Sequence, residues 1–152
     1  MANNKKPRKR HIPRRNILPM TIRHNSQSEQ TLQLIPHTEL MKFREGVGDE
    51  IGWNTITARL NVGLVAAYQA DYDPEYLLLM DSLKAIVNVR ERFLNTGRWG
   101  LSGDDLKSIG DGLVATDNLQ LSITRKQLSK AIDYVFKNAG ALDDVSNVYV
   151  QI

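Results

Sequence analysis

From Thr38 to Gly140 almost every break in the apolar pattern is a helix start or a helix stop, and this punctuation limits the fold more than any other feature of the chain. Thr38 can cap a short helix through about Glu45, which Gly46 and Gly48 then break, and Asp49 can cap a longer one to about Ala70. Within that second helix Ile56, Leu60, Leu64 and Tyr68 step by four, and Gly63 leaves room for a neighbour to come close. Asp73-Pro74-Glu75 places an N-cap acid before a proline at the first helical position, with a second acid near the positive helix end. The helix it opens should carry Leu79, Leu83, Ile86, Arg90 and Phe93 along one stripe and end near Asn95 at a left-handed Gly97.

Ser102 to Asp105 can form a capping box, with Asp in place of the usual Glu or Gln, for a helix with the stripe Leu106, Ile109 and Leu113. Thr124 to Gln127 is a fuller box, opening a last helix with Leu128, Ile132 and Val135 inside and a stop near Gly140. No apolar strand alternates with these segments, so the expected class is all-α, a four- to five-helix bundle over 38–140. Residues 17–36, where Ile17, Leu18, Met20 and Ile22 and then Leu32, Leu34 and Ile35 flank a polar stretch that Pro36 closes, read as a loose hairpin or an extended strap, with 25–37 as the strap, and residues 141–152 as a tail or short strand.

Charge divides the chain differently. Residues 1–24 hold Lys5, Lys6, Arg8, Lys9, Arg10, Arg14, Arg15 and Arg23 and no acid, a net +8, whereas the rest holds twelve Lys/Arg against seventeen Asp/Glu, a net −5, which together make the overall +3. Residues 1–16 lack the apolar surface to fold alone, and Pro7, Pro13 and Pro19 oppose a targeting helix, so 1–24 reads as an extended basic arm. Clustered cations displace the counterions condensed on phosphates, which makes nucleic acid the expected partner, DNA more than RNA, with those eight residues as the contacts.

No apolar run approaches the roughly 18 residues of a membrane span, and no secretory signal precedes the body, so the expected setting is cytoplasmic without membrane attachment. The chain has no cysteine, which excludes disulfides and thiolate metal sites. His11, His24 and His37 are too far apart for ligands on one helix face, and the acids gather at helix starts, where the helix dipole accounts for them. No catalytic residue, metal or cofactor is therefore expected, and the chain does not read as an enzyme.

Arg98 and Trp99 are the most individual pair of the body. They could stack on a base or anchor in a partner's pocket, but a Trp that plugs the bundle end where two helices turn is the favoured reading; Trp53 is likewise expected in the core. The run Arg90-Glu91-Arg92-Phe93 with Thr96-Gly97-Arg98-Trp99-Gly100 and Ser102-Gly103-Asp104-Asp105-Leu106, together with Trp53 to Asn61 and the basic Pro-containing start, resembles small uncharacterised proteins of proteobacterial phages, prophages and related mobile elements. The resemblance implies a bacterial cytoplasm and an accessory role, and it assigns no activity or site residue.

Two functions are compatible with this pattern. One is nucleic-acid binding through the arm, with the helical body serving in oligomerisation or partner contact. The other is a protein-binding inhibitor or adaptor that meets a host complex through acidic residues such as Asp71, Asp73 and Glu75 or Asp104 and Asp105. A stripe facing the core and a stripe facing a second copy have the same period, so a homo-oligomer is compatible with either.

Overall fold

The computed structural model describes residues 27–138, with side chains from residue 33 onward. Over that range five helices follow one another, α1 (Gln27–Arg44), α2 (Glu50–Gln69), α3 (Asp73–Thr96), α4 (Gly103–Ser122) and α5 (Arg125–Lys137), and no strand occurs among the described residues. The all-α bundle expected from the punctuation is the fold. The basic arm, with all eight of its cations, and the tail 141–152 lie outside the described residues.

α2 is the axis of the molecule. Leu60 to Ala67 is buried without interruption, so this helix has no solvent face there and must be surrounded. It touches all four other helices, while α1 and α3 each also pack on α4. Leu60, Leu64, Leu79, Leu83, Ile86, Ile109 and Leu113 form the main core, and a second cluster joins Val62, Val65 and Ala66 of α2 to Leu128, Ala131 and Val135 of α5. Two glycines set the helix spacing. A Cβ on Gly63 would collide with Thr116, and one on Gly112 with Ser82, so the backbones approach where only a hydrogen stands between them.

Three start signals and one stop act as read. Asp49 accepts from the Gly52 amide, both capping boxes are complete, and Gly97 ends α3 in the left-handed region with φ +69°. Tyr72 is the N-cap of α3, without a side-chain bond, and Asp73 already lies inside the helix. The reason is the end of α2: Asp71 takes the left-handed conformation at φ +57°, and the Tyr72 amide donates to the Ala67 carbonyl at 2.9 Å, so the turn closes one residue earlier than an Asp73 cap would allow.

The strap expected over residues 25–37 is corrected by α1, which is helical from Gln27 and runs through Pro36. Thr38 does not cap a helix; its hydroxyl donates to the Leu34 carbonyl one turn back at 3.0 Å. A proline inside a helix removes one hydrogen bond and costs about 3 kcal/mol. Here Pro36 is itself buried, and Leu40 and Phe43, each 2 % exposed, seat the helix in the core and offset that cost.

At the α3–α4 turn Arg92 donates to the Gly100 carbonyl at 2.6 Å and to Asp105 Oδ2 at 2.8 Å, while the Ser102 amide donates to the same carboxylate. Burial alone would raise the Asp105 pKa, but the hydrogen bonds from Arg92 and Ser102 and the Arg92 charge outweigh it and hold the carboxyl below its ordinary value. A depressed folded value stabilises the protein above the unfolded carboxylate range, near pH 4, and that contribution is lost as pH falls through the folded value. Asp105→Asn should therefore be destabilised at pH 7, with the gap to the parent protein narrowing in urea unfolding as pH falls below about 4; a gap independent of pH would refute this role.

Candidate functional site

Trp99 closes the end of the bundle where α1 meets α2 and α3 meets α4. Its ring stacks on Phe93 at 4.1 Å between centroids and 6° between planes, meets Phe43 edge-on at 5.6 Å, and lies 6.5 Å from Trp53. Trp53 is 4 % exposed and donates its Nε1–H to the Ile86 carbonyl at 3.0 Å. The Arg90 guanidinium covers both indoles, 4.9 Å from the Trp53 ring and 5.7 Å from the Trp99 ring, and is held by Glu50. These contacts account for Trp99 as a plug, and of the pair singled out from the sequence it is Arg98 that faces solvent.

Charge on the described body is itself divided. Residues 33–122 carry eight Lys/Arg against thirteen Asp/Glu, a net −5, whereas residues 123–138 carry Arg125, Lys126, Lys130 and Lys137 against Asp133, a net +3. The geometry of α5 explains what the cations do. Leu128, Ala131 and Val135 go down onto α2, which turns Arg125, Lys126, Lys130 and Lys137 outward, all exposed. Phe136 stands beside them, 73 % exposed. The sequence shows only part of this pattern: Arg125 and Lys126 follow the Thr124 cap, but adding Lys130 and Lys137 to one face requires knowing which side of the helix α2 covers.

On the far side of α2 from α5, α3 and α4 form a shallow groove of about 330 Å³. Its floor is Pro74, Leu78, Val114 and Ala115, with Leu78 38 % and Val114 52 % exposed. Glu75 and Asp111 rim it, and the polar continuation towards the α4 N-terminus adds Asp81, Asp104 and Lys107. Asp81 is bridged to Lys84 at 2.8 Å, whereas Glu75, Asp104 and Asp111 form no salt bridge among the described residues. Asp105 does not belong to this surface: it is 6 % exposed and committed to the α4 cap.

His37, which the sequence reading puts in the strap before the bundle, lies on α1 with Nε2 2.8 Å from Asp117 Oδ2 on α4, and Arg59 of α2 reaches the other oxygen of that carboxylate at 2.7 Å. This ties three helices together and occupies both oxygens of Asp117. Among the described residues no group of three or more His, Asp or Glu is placed to hold a metal ion, and no helix is long and apolar enough to cross a membrane.

The described surface thus presents two features of opposite charge, a basic face on α5 and an apolar groove rimmed by carboxylates between α3 and α4. Set against protein-family models, curated proteins and solved structures, the chain finds no match in any of the three.

Proposed function

We propose that this chain is a nucleic-acid-binding accessory protein of a phage or mobile element, acting in a bacterial cytoplasm. Lys5, Lys6, Arg8, Lys9, Arg10, Arg14, Arg15 and Arg23 would lie along phosphates, with DNA the favoured ligand, and the exposed face of α5 would supply a second, ordered contact. The observation that carries the reading is where the cations sit. They concentrate in the arm and on α5, while the helices between are net acidic and would repel a phosphate backbone. Phe136, exposed within the basic face, offers a ring on which an unpaired base could stack.

The test is binding of the full chain to labelled duplex DNA, single-stranded DNA and RNA across a salt series. Changing Arg8, Lys9, Arg10, Arg14 and Arg15 together to Ala should lower the slope of log affinity against log salt on duplex DNA by about 4 to 5, since each phosphate contact contributes about 0.9. Lys126→Glu, Lys130→Glu and Lys137→Glu together should weaken binding further with helix content unchanged. Failure of the unmodified chain to bind any of the three at low salt would overturn the proposal.

The α3–α4 groove favours a second reading, a protein-binding adaptor that engages a host complex through an acidic surface. On that reading the arm substitutions leave function intact, and reversal of Asp73, Glu75, Asp104 and Asp111 abolishes it.

A further inference from the structure

An apolar groove rimmed by carboxylates on one side of a protein that also carries a +8 segment calls for an occupant of matching chemistry. We infer that the α3–α4 groove is the resting seat of the chain's own N-terminal segment, residues 14–23, and that nucleic acid must draw those cations out of it. The inference rests on the arm being the nucleic-acid contact and deepens that reading into a competition between two ligands of one segment.

Three observations support it. The first is composition: Ile17, Leu18, Met20 and Ile22 are bracketed by Arg14, Arg15 and Arg23, so apolar residues flanked by cations match a floor of Pro74, Leu78, Val114 and Ala115 flanked by Glu75 and Asp111. Contacts to phosphates alone would bury none of those four apolar side chains.

The second is charge. The residues lining the groove and its polar continuation include Glu75, Asp81, Asp104 and Asp111 against Lys107, a net −3, and three of these carboxylates form no salt bridge among the described residues. The third is reach. The contacts that pair His37 with Asp117 and Leu40 with Gly110 run α1 antiparallel to α4, so the start of α1 lies at the α4 C-terminal end, where Val114 and Asn118 line the groove. From Gln27 back to Arg14 a chain spans up to about 43–47 Å, more than the roughly 30 Å length of α4.

The consequence is measurable. The apparent affinity for DNA falls by the fraction of time the segment is out of its seat, so a segment seated nine-tenths of the time weakens binding about tenfold. Salt loosens the seat and the nucleic-acid contact alike, so the effect is largest at low ionic strength.

The absence of cysteine permits a single nitroxide on the full chain at Asn16→Cys. With isotope-labelled, spin-labelled protein diluted into unmodified protein, the amide signals of Leu78, Val114 and Asn118 should broaden at low salt, and Glu75→Gln with Asp111→Asn should remove that broadening. The same pair should raise DNA affinity severalfold, whereas the equal charge change at the exposed Glu45→Gln with Glu91→Gln should leave it nearly unchanged. Broadening elsewhere, broadening that survives groove neutralisation, or broadening only when the nitroxide is on a different copy would each overturn the inference. Groove broadening that DNA never displaces, in a chain that binds no nucleic acid, would leave the seat standing and refute the nucleic-acid reading; DNA binding without groove broadening would do the reverse.

Discussion

Trp53→Ala should lower stability by about 3–5 kcal/mol, the range for deleting a large buried aromatic side chain, and shift Tm by on the order of 10 °C or more. The indole is 4 % exposed, packs beside Trp99, underlies the Arg90 guanidinium and donates to the Ile86 carbonyl. Its removal therefore opens a cavity at the end of the bundle and leaves Arg90 without one of its two rings. Packing outweighs the hydrogen bond here. Trp53→Phe loses the Nε1–H and part of the ring but keeps most of the contact, and a net hydrogen bond is worth only about 0.5–1.5 kcal/mol. Phe should thus cost well under half of what Ala costs. Because the substitution removes a fluorophore, urea unfolding should be followed by circular dichroism; equal losses for Phe and Ala would mean that the hydrogen bond, not the packing, holds this end together.

Two glycines of α4 should respond to the same substitution with opposite signs. A Cβ at Gly112 would stand 2.6 Å from Ser82 Cβ and 2.9 Å from Leu60 Cδ2, and Ser82 cannot turn aside without giving up its bonds to the Leu78 and Ser108 carbonyls. Overpacking of this kind costs about 1–3 kcal/mol, which equals at its lower end, and over the rest of its range exceeds, the roughly 1 kcal/mol that alanine gains over glycine in a helix. A Cβ at Gly110 would only touch Leu40 Cδ2 at 3.8 Å, ordinary contact. Gly112→Ala should accordingly destabilise, and Gly110→Ala should stabilise by up to about 1 kcal/mol. Combining Gly112→Ala with Ser82→Gly moves the methylene across the interface, and the pair should be less destabilised than the sum of the two single changes. If Gly112→Ala stabilised instead, the close approach of α3 and α4 would be wrong.

What was legible in the chain follows from the range of the forces involved. The caps at Ser102 and Thr124, the Asp49 start and the Gly97 stop are settled by hydrogen bonds that close within one turn, so the residues that make them are neighbours in sequence. The stripes Leu79, Leu83 and Ile86 on α3 and Ile109 and Leu113 on α4 were equally readable, because their period follows from the helix itself.

Pro36 shows where that stops. Locally it argues for a helix end, and only the burial of Leu40 and Phe43 against α2 and α4 makes a continuous α1 the better solution. His37 finds Asp117 eighty positions away, and Asp71 rather than Asp73 shapes the α2–α3 turn through a bond back to the end of α2. The groove is a stronger case. Glu75 and Asp111 are each explicable alone as surface acids, and they become two rims of one apolar floor only when α3 and α4 lie side by side. Local sequence was enough for the starts at Asp49, Ser102 and Thr124, the stop at Gly97, the apolar stripes and the separation of a basic segment from an acidic remainder. Tertiary packing decided which faces of those helices meet and which meet solvent, because burial is a property of neighbours that the chain brings together from distant positions.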